Sequence, residues 1–270
     1  MIGPEKLTEF VNQSGFPLQI AIQSLVSRTV SQHGWRVLYQ EHSWINRADG
    51  SSGFLDLVLE NRYGTSVLLV ECKRVLETVW TFLLPGPRIT SRRHAKAWVT
   101  RHGGGNFNWF DWFDLALDPQ APESAFCVVP GQDSRARPML ERVGAELVSA
   151  TEGVAEEERL LKSKLPDSLR MYFSVIVTTA KLSVCVFDAD MVSLSDGMLS
   201  DAQFHEAPYV RFRKQLSTRV PNIDQANGDS TRLLAKAKEH TVFVVNSEAL
   251  LTFLSGFEVD NSSLRSLVDR

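Results

Sequence analysis

The sequence has few cysteines and no pattern that would pair them. The three cysteines, Cys72, Cys127 and Cys185, lie far apart within apolar, strand-like runs. An odd number at wide spacing is typical of buried free thiols in a reducing compartment, not of a disulfide framework. No cysteine and histidine pair has the spacing of a zinc site. We therefore expect a cytoplasmic protein.

The chain also lacks a long hydrophobic run and a large excess of one charge. Its longest apolar stretch, residues 172–187, contains two threonines and a lysine and is too polar for a membrane span. Residues 1–10 lack the basic start and apolar stretch of a signal peptide. A net charge of −3 argues against a polybasic protein, although a local basic surface can still bind nucleic acid.

Helical and strand-like patterns are mixed along the 270 residues, which are enough for one large domain or a domain with an extension. Apolar spacing predicts helices at 4–12, 18–33 and 137–161. It predicts strands at 35–40, 54–60, 67–75, 125–131, 171–188 and 209–216, and a strand followed by a helix at 241–257. This order predicts a three-layer α/β domain.

Charged residues interrupt the end of the apolar strand at 67–75. Glu71 and Lys73 share one face of this strand, because side chains alternate along it. Leu55, Leu57 and Leu59 share one face of the preceding strand, which leaves Asp56 on the other. If the strands pair across the turn at 61–64, Asp56 lies opposite a residue near 69–71, roughly 5 Å away. Two carboxylates and an ammonium then meet on one sheet face.

This combination of side chains suits a metal-dependent phosphodiesterase. Two neighbouring carboxylates repel unless a cation lies between them, and Mg²⁺ commonly takes one or two protein carboxylates. The metal lowers the pKa of a bound water and neutralises phosphate charge. A nearby lysine can orient that water and stabilise developing negative charge.

The segment GFLDLVLENRYGTSVLLVECKRV (53–75) resembles the PD-(D/E)xK nuclease superfamily, which has the restriction-endonuclease-like fold. In that family an aspartate ends one strand, Glu-x-Lys lies on the next, and a helix precedes both. Asp56, Glu71 and Lys73 match those positions. The resemblance covers residues 15–75 well and the rest loosely.

The resemblance implies a three-layer core, with a helix, an antiparallel strand hairpin and a mixed central sheet. Residues 1–190 would form the nuclease core, with a basic and aromatic insertion at about 77–124 after the Glu-x-Lys strand. Residues 191–270 would form a C-terminal α/β extension that packs on the same core.

The resemblance also implies a nuclease that uses Mg²⁺ or Mn²⁺, acts on nucleic acid and prefers DNA, in a defence, restriction or repair setting. Asp56, Glu71 and the main-chain carbonyl of Cys72 would bind the metal, and Lys73 would position the attacking water. Many relatives are dimers, so a homodimer is one expectation, and no membrane partner is expected.

Two positions depart from the family pattern. Its proline before the aspartate is Leu55 here, and the glutamate that many members carry on the first helix is replaced by Gln19 and Gln23. Glu41, at the end of the first strand, could supply the missing acid. Gln23 and Glu41 are therefore predicted accessory residues.

Two basic segments are candidates for nucleic-acid contact. The segment 77–124 holds four of the six tryptophans, and basic and aromatic side chains can neutralise phosphates and stack on bases. The candidate residues are Arg88, Arg92, Arg93, Lys96, Arg101, Arg211 and Arg213. The alternatives are a solvated basic face over a small aromatic core for the first segment, and a solvated edge strand for the second.

Two other functions remain open from the sequence. The first is a catalytically inactive member of the same fold that binds nucleic acid or acts as a scaffold. The second is an α/β protein with an ordinary surface ion pair and a protein partner, which would be favoured if Asp56 pointed away from Glu71.

Overall fold

The structure, a computed structural model, describes residues 2–102, 108–132, 137–162, 168–217 and 235–268. The helices are α1 (Pro4–Gln13), α2 (Phe16–Arg28), α3 (Val30–His33), α4 (Met139–Lys162), α5 (Leu250–Gly256) and α6 (Asn261–Val268). The first strands are β1 (Trp35–Ile45), β2 (Ser52–Asn61), β3 (Ser66–Lys73), β4 (Val79–Pro85), β5 (Ser91–His102), β6 (Asn108–Ser124) and β7 (Cys127–Val128). The later strands are β8 (Ser168–Thr178), β9 (Lys181–Phe187), β10 (Gln203–Glu206), β11 (Tyr209–Gln215), β12 (Glu239–Asn246) and β13 (Glu258–Val259).

The fold is mixed α/β, as the sequence predicts. The described residues form a nine-stranded sheet in the order β1-β2-β3-β8-β12-β11-β6-β13, with β5 paired to both β6 and β8. A second, four-stranded sheet has the order β10-β9-β4-β7. No helix in the described ranges is long and apolar enough to cross a membrane.

Five strands of the large sheet close into a ring, which the sequence does not predict. The ring runs from β8 through β12, β11, β6 and β5 and back to β8. Thus β5 and β6 come from the predicted insertion, and β11 and β12 from the predicted C-terminal extension. Both segments supply strands of the central sheet, so neither is confined to its periphery.

Helices cover both faces of the sheet near β1–β3. On one face, Ile22 and Val26 of α2 pack in a buried cluster with Leu57, Leu59 and Val70. On the other face, α4 packs in a second cluster that includes Val58, Leu69 and Ile176. Helices α2 and α4 therefore lie on opposite faces of the sheet at β1–β3. The predicted helix at 137–161 is confirmed as α4.

The β2–β3 hairpin forms across the predicted turn, but its alternation is broken at one point. Leu57 pairs with Val70, and Gly64 adopts a positive φ of 68° in the turn. Leu57 and Leu59 pack in the α2-side cluster, whereas Leu55 packs in the α4-side cluster with Val58. The prediction that Leu55 shares a face with Leu57 and Leu59 is therefore wrong, because the alternation is interrupted at Asp56.

A buried ionic network connects α4 to β2 and β8, at the end of these strands opposite Asp56. Arg170 on β8 forms ion pairs of 2.6 Å with Glu60 on β2 and 2.6 Å with Glu158 on α4. The Tyr172 hydroxyl donates to Glu158 at 2.8 Å. The side chains of Arg170, Glu60 and Glu158 are at most 4% exposed. Because removing one partner of such a pair leaves a buried charge uncompensated, the network should be sensitive to substitution.

We predict that Arg170→Met lowers the free energy of unfolding by about 3–5 kcal/mol, since it leaves two buried carboxylates with fewer partners. The matched control is Arg159→Met, which removes a more exposed arginine paired with Glu156 on the same helix and should cost less than about 1 kcal/mol. Urea unfolding of the three proteins measures both differences. Equal losses in the two variants would contradict the structural role of the network.

A buried histidine on β12 makes stability depend on pH. His240 is 3% exposed, and its ring lies edge-on to that of Trp112 with centroids 4.6 Å apart. Burial, followed by the charges of Lys96 and Arg213, lowers the pKa of His240 to about 4. The folded pKa lies below the unfolded value of about 6.5, so the unfolded chain takes up the proton first. The neutral histidine therefore contributes stability above about pH 6.5 that is lost as the pH falls towards 4.

We predict that His240→Phe, which keeps a ring at this position, removes that part of the acid sensitivity. Between pH 7 and 5 the wild-type protein should lose about 2 kcal/mol more unfolding free energy than the variant loses. Urea titrations of both proteins at the two pH values give the difference directly. Carboxylates that titrate in this interval affect both proteins alike, so an identical pH dependence would refute a buried neutral His240.

Candidate functional site

The candidate site lies where β2 separates from β3. The β2–β3 pairing reaches Leu57 and Val70, and the next residues along the two strands are Asp56 and Glu71. The Cys72 main-chain N–H donates to Asp56 Oδ2 at 2.6 Å. The Lys73 ammonium donates to Glu71 Oε1 at 2.5 Å. The three predicted catalytic side chains are thus brought to the same strand end.

The site is short of positive charge. Burial raises the pKa of Glu71, and the charge of Asp56 raises it further, while Lys73 opposes both effects. Burial also raises the pKa of Asp56, and the Cys72 N–H and Lys73 oppose it. The carboxylate of Glu146 on α4 adds to the negative potential at Glu71. Partly buried carboxylates with raised pKa values favour any additional cation.

The main-chain carbonyl of Cys72 faces the same gap. Backbone N–H and C=O groups of one strand residue point to the same side of the strand. Since the Cys72 N–H reaches Asp56 on the β2 side, its carbonyl is directed to that side too. The side chain of Cys72 packs against the α2-side cluster, and burial raises the pKa of its thiol. A buried thiol with a raised pKa is unreactive at neutral pH.

The side-chain amide of Gln19 and a third carboxylate, that of Glu41, lie next to Asp56. Gln40 pairs with Leu57 and His42 with Leu55, so Glu41 lies opposite Asp56. The side-chain amide of Gln19 on α2 donates to Glu41 Oε1 and, at 3.2 Å, to the main-chain oxygen of Asp56.

Of the two predicted accessory residues, the structure places Glu41 at the site. Gln19, rather than Gln23, is the helix residue bonded to it. Sequence reasoning did not identify this bond, because both glutamines lie on the same helix and either could have faced β1.

A cleft opens beside Glu71. It has a volume of about 510 Å³ and lies between α4 and the β1–β2 hairpin. Its lining includes Trp44, Phe54, Glu71, Arg142 and Glu146. This volume is in the range of about 300–1,000 Å³ that is common for small-molecule sites. The cleft therefore gives solvent and ligands a route to the Glu71 end of the site.

The oxygen donors at this strand end are of the kind that a hard divalent cation binds, but they do not form a complete metal site. Carboxylate and carbonyl oxygens are ligands that Mg²⁺ and Mn²⁺ accept. In the part of the chain that the structure describes, however, no three His, Cys, Asp or Glu side chains form a metal-binding group. Asp56, Glu71 and Glu41 each have one carboxylate oxygen that already accepts a hydrogen bond from the protein. Binding an ion would therefore use the second oxygens or small rotations of these side chains.

Most of the predicted phosphate-contacting residues are bonded inside the protein. Arg211 is fully buried and donates to the main-chain oxygens of His94, Leu117 and Pro119, so it does not lie on a surface. Burial lowers its pKa to about 10. Arg213 forms ion pairs with Asp114 and Glu239, which offset its burial and raise its pKa.

The residues of the basic insertion are divided between the interior and the surface. Arg93 pairs with Asp118 and Asp260, and Arg101 donates to main-chain oxygens at the end of α6. Lys96 is 9% exposed, and burial lowers its pKa. Only Arg88 and Arg92 of the predicted set are exposed. The predicted basic surface therefore retains two exposed residues.

Comparison of the chain with family models, with curated proteins and with solved structures found no match.

Proposed function

We propose that the chain is a metal-dependent phosphodiesterase that acts on nucleic acid, with DNA as the preferred substrate class. The observation that carries the proposal is the strand-end group itself. Asp56 and Glu71 are partly buried carboxylates with raised pKa values, and Lys73 is bonded to one of them. Such a group favours a divalent cation next to a positioned ammonium.

Each residue has a distinct role in this proposal. Asp56, Glu71 and the Cys72 carbonyl would hold Mg²⁺ or Mn²⁺. When bound, that ion would supply a water of lowered pKa and neutralise charge on the phosphate. Lys73 would orient the attacking water and stabilise negative charge on the phosphate, and its bond to Glu71 Oε1 keeps the ammonium at the site.

The order of elements supports a restriction-endonuclease-like core. The helix α2 precedes the antiparallel strands β1, β2 and β3, and α4 leads into β8, which is parallel to β3. Helices α2 and α4 cover opposite faces of these strands. In this proposal the ring of β5, β6, β11 and β12 with β8 is an addition to that core.

A second candidate function is a catalytically inactive member of the same fold, acting as a binding or scaffolding subunit. Asp56 already accepts from the Cys72 N–H, and Lys73 is already bonded to Glu71. Since these charged groups have hydrogen-bond partners without a metal ion, this alternative is also supported. Helix α2 also provides an amide, Gln19, where many nucleases of the family carry an acid on the corresponding helix.

We predict that Lys73→Ala and Asp56→Asn separate these functions. Lys73→Ala leaves the metal ligands in place, so Mn²⁺ should still bind while cleavage falls by ~100-fold or more. Asp56→Asn should weaken Mn²⁺ binding and cleavage together, because a neutral amide is a poor ligand for a hard cation. The assays are calorimetric titration with Mn²⁺ and cleavage of linear, nicked and single-stranded DNA, with EDTA as the metal-free reference.

The matched control is Lys181→Ala, which removes an exposed lysine at the start of β9 and should cleave like the wild type. Two results would reject the proposed enzymatic function. One is equal cleavage by the wild type and Lys73→Ala. The other is DNA binding by the wild type without cleavage of any substrate, which would establish the binding subunit instead.

A further inference from the structure

The four-stranded sheet, called the small sheet below, ends in a strand whose outer edge is open. Strand β10 lies at the end of the order β10-β9-β4-β7, and in the described part of the chain it pairs with β9 alone. All of its residues are exposed. An open strand edge carries unpaired backbone N–H and C=O groups, which form a template for pairing with another extended chain.

The register shows which backbone groups of β10 face away from β9. Just after β10, the Ala207 N–H donates to the Leu182 main-chain oxygen at 3.0 Å. Because hydrogen-bonded and non-hydrogen-bonded pairs alternate in an antiparallel ladder, His205 also bonds to β9, and the residues on either side of it do not. Phe204 and Glu206 therefore direct their main-chain N–H and C=O groups outward.

Apolar side chains are concentrated next to this edge without being buried. Phe204 pairs with Cys185, so its ring lies on the face of the small sheet away from the core cluster that contains Val184. The connection from β9 to β10, residues 188–202, is closed by a backbone bridge of its own. The exposed apolar side chains of the connection and of β10 are Met191, Leu194, Met198, Leu199 and Phe204. Grouped exposed apolar side chains of this kind mark an interaction surface.

The same surface carries charge of one sign. Residues 182–210 contain five acidic residues and no lysine or arginine. All five are exposed: Asp188, Asp190, Asp196, Asp201 and Glu206. Two copies of this surface would repel each other, and so would this surface and the phosphates of nucleic acid or of an anionic membrane. The charge therefore favours a basic partner.

We propose that the edge of β10 is a docking site for a basic, extended segment of a partner protein, which pairs as an additional strand of the small sheet. The outward main-chain groups of Phe204 and Glu206 would bond to the segment. Its apolar side chains would cover the Phe204 ring, and its lysines or arginines would face the acidic residues. Backbone bonds supply the affinity of such an added strand, and alternate side chains supply its specificity. This site involves neither the candidate metal ligands nor cleavage, so it goes beyond the proposed function.

The first test separates strand pairing from charge attraction. The probe is a fluorescein-labelled peptide in which lysine and valine alternate, and fluorescence anisotropy measures its binding to the full chain. We expect saturable binding by the wild type. A fully N-methylated peptide of the same sequence keeps every side chain and charge but has no backbone donor, so it should bind at least about 10-fold more weakly. Equal affinity for the two peptides, or no saturable binding of the first, would overturn the proposal.

The second test removes the ring beside the edge. Phe204→Ser changes an exposed side chain, so its urea midpoint should match the wild type. Its dissociation constant for the lysine–valine peptide should rise about 10-fold, because the peptide no longer covers an aromatic ring. The matched control is Phe54→Ser, which removes an exposed phenylalanine of β2 in the large sheet and should bind the peptide like the wild type. Equal affinities of the wild type and Phe204→Ser would contradict the proposed site.

The third test concerns charge. Asp201→Lys combined with Glu206→Lys reverses two of the acidic charges and should weaken binding of the lysine–valine peptide by about 10-fold. The matched control is Glu5→Lys combined with Glu9→Lys, which makes the same change in net charge at exposed positions of α1. It should bind the peptide like the wild type. Equal losses in the two double variants would show that net charge acts without a local site, which would overturn the proposal.

A second copy of the chain is the other occupant that an open edge could take. Sedimentation equilibrium of the wild type and Phe204→Ser distinguishes it from a basic partner. We expect the two proteins to have the same oligomeric state, since like charges oppose self-pairing at this edge. Self-association of the wild type that is lost in Phe204→Ser would assign the edge to a second copy and overturn the proposal.

Discussion

The parallel pairing of β3 with β8 is the interaction on which the rest of the structure depends. It runs from Ser66 and Met171 to Lys73 and Thr178, and joins segments that are about a hundred residues apart. Parallel strands need a crossover, so the intervening chain must provide a covering layer, which is α4. The pairing places β3 between β2 and β8 with both faces buried. β8 pairs with β3 as far as Lys73, whereas the β2–β3 pairing ends at Val70. On the β2 side, the last backbone groups of β3 therefore bond to side chains instead of a strand.

That asymmetry explains why charges lie at the end of a core strand. Since β2 does not pair with Cys72, the Cys72 N–H has no strand partner, and an unsatisfied buried N–H is costly. The Asp56 carboxylate satisfies it. A carboxylate in this position needs positive charge nearby, and Lys73 provides one ammonium, bonded to Glu71. The charged pair is thus linked to the local architecture even before any function is assigned to it.

Local patterns in the sequence predict the elements around the site well. The helix at 137–161 and the strands around the 61–64 turn follow from apolar periodicity and turn residues, and Asp56, Glu71 and Lys73 follow from their place on those strands. The ring of strands could not be predicted in this way. It depends on β5 pairing with β8, and the pairing of Trp98 with Tyr172 leaves no local signature in either segment.

The arginines show a related limit. Arg211 and Arg213 alternate with apolar residues on a strand, a pattern that fits a solvated face and a buried ionic network equally. The structure buries Arg211 and partly buries Arg213, and main-chain oxygens and the carboxylates of Asp114 and Glu239 compensate them. Likewise, no glycine marks the left-handed residue at Glu41, so the break in alternation beside Asp56 could not be read from the sequence.

Electrostatics at the strand end connect the fold to the proposed chemistry. Asp56, Glu71 and Glu41 each have a protein donor, but only one of the three donors, Lys73, carries a charge. Hydrogen bonds from a backbone N–H and from an amide satisfy the oxygens without neutralising them. Burial is the main cause of the raised pKa values of Asp56 and Glu71, and the charges of neighbouring carboxylates raise them further. Two ways of relieving it are available to such a group: protonation, as the pH falls, or a divalent cation. Of the two, a divalent cation is the one that would leave Lys73 free to act on a substrate.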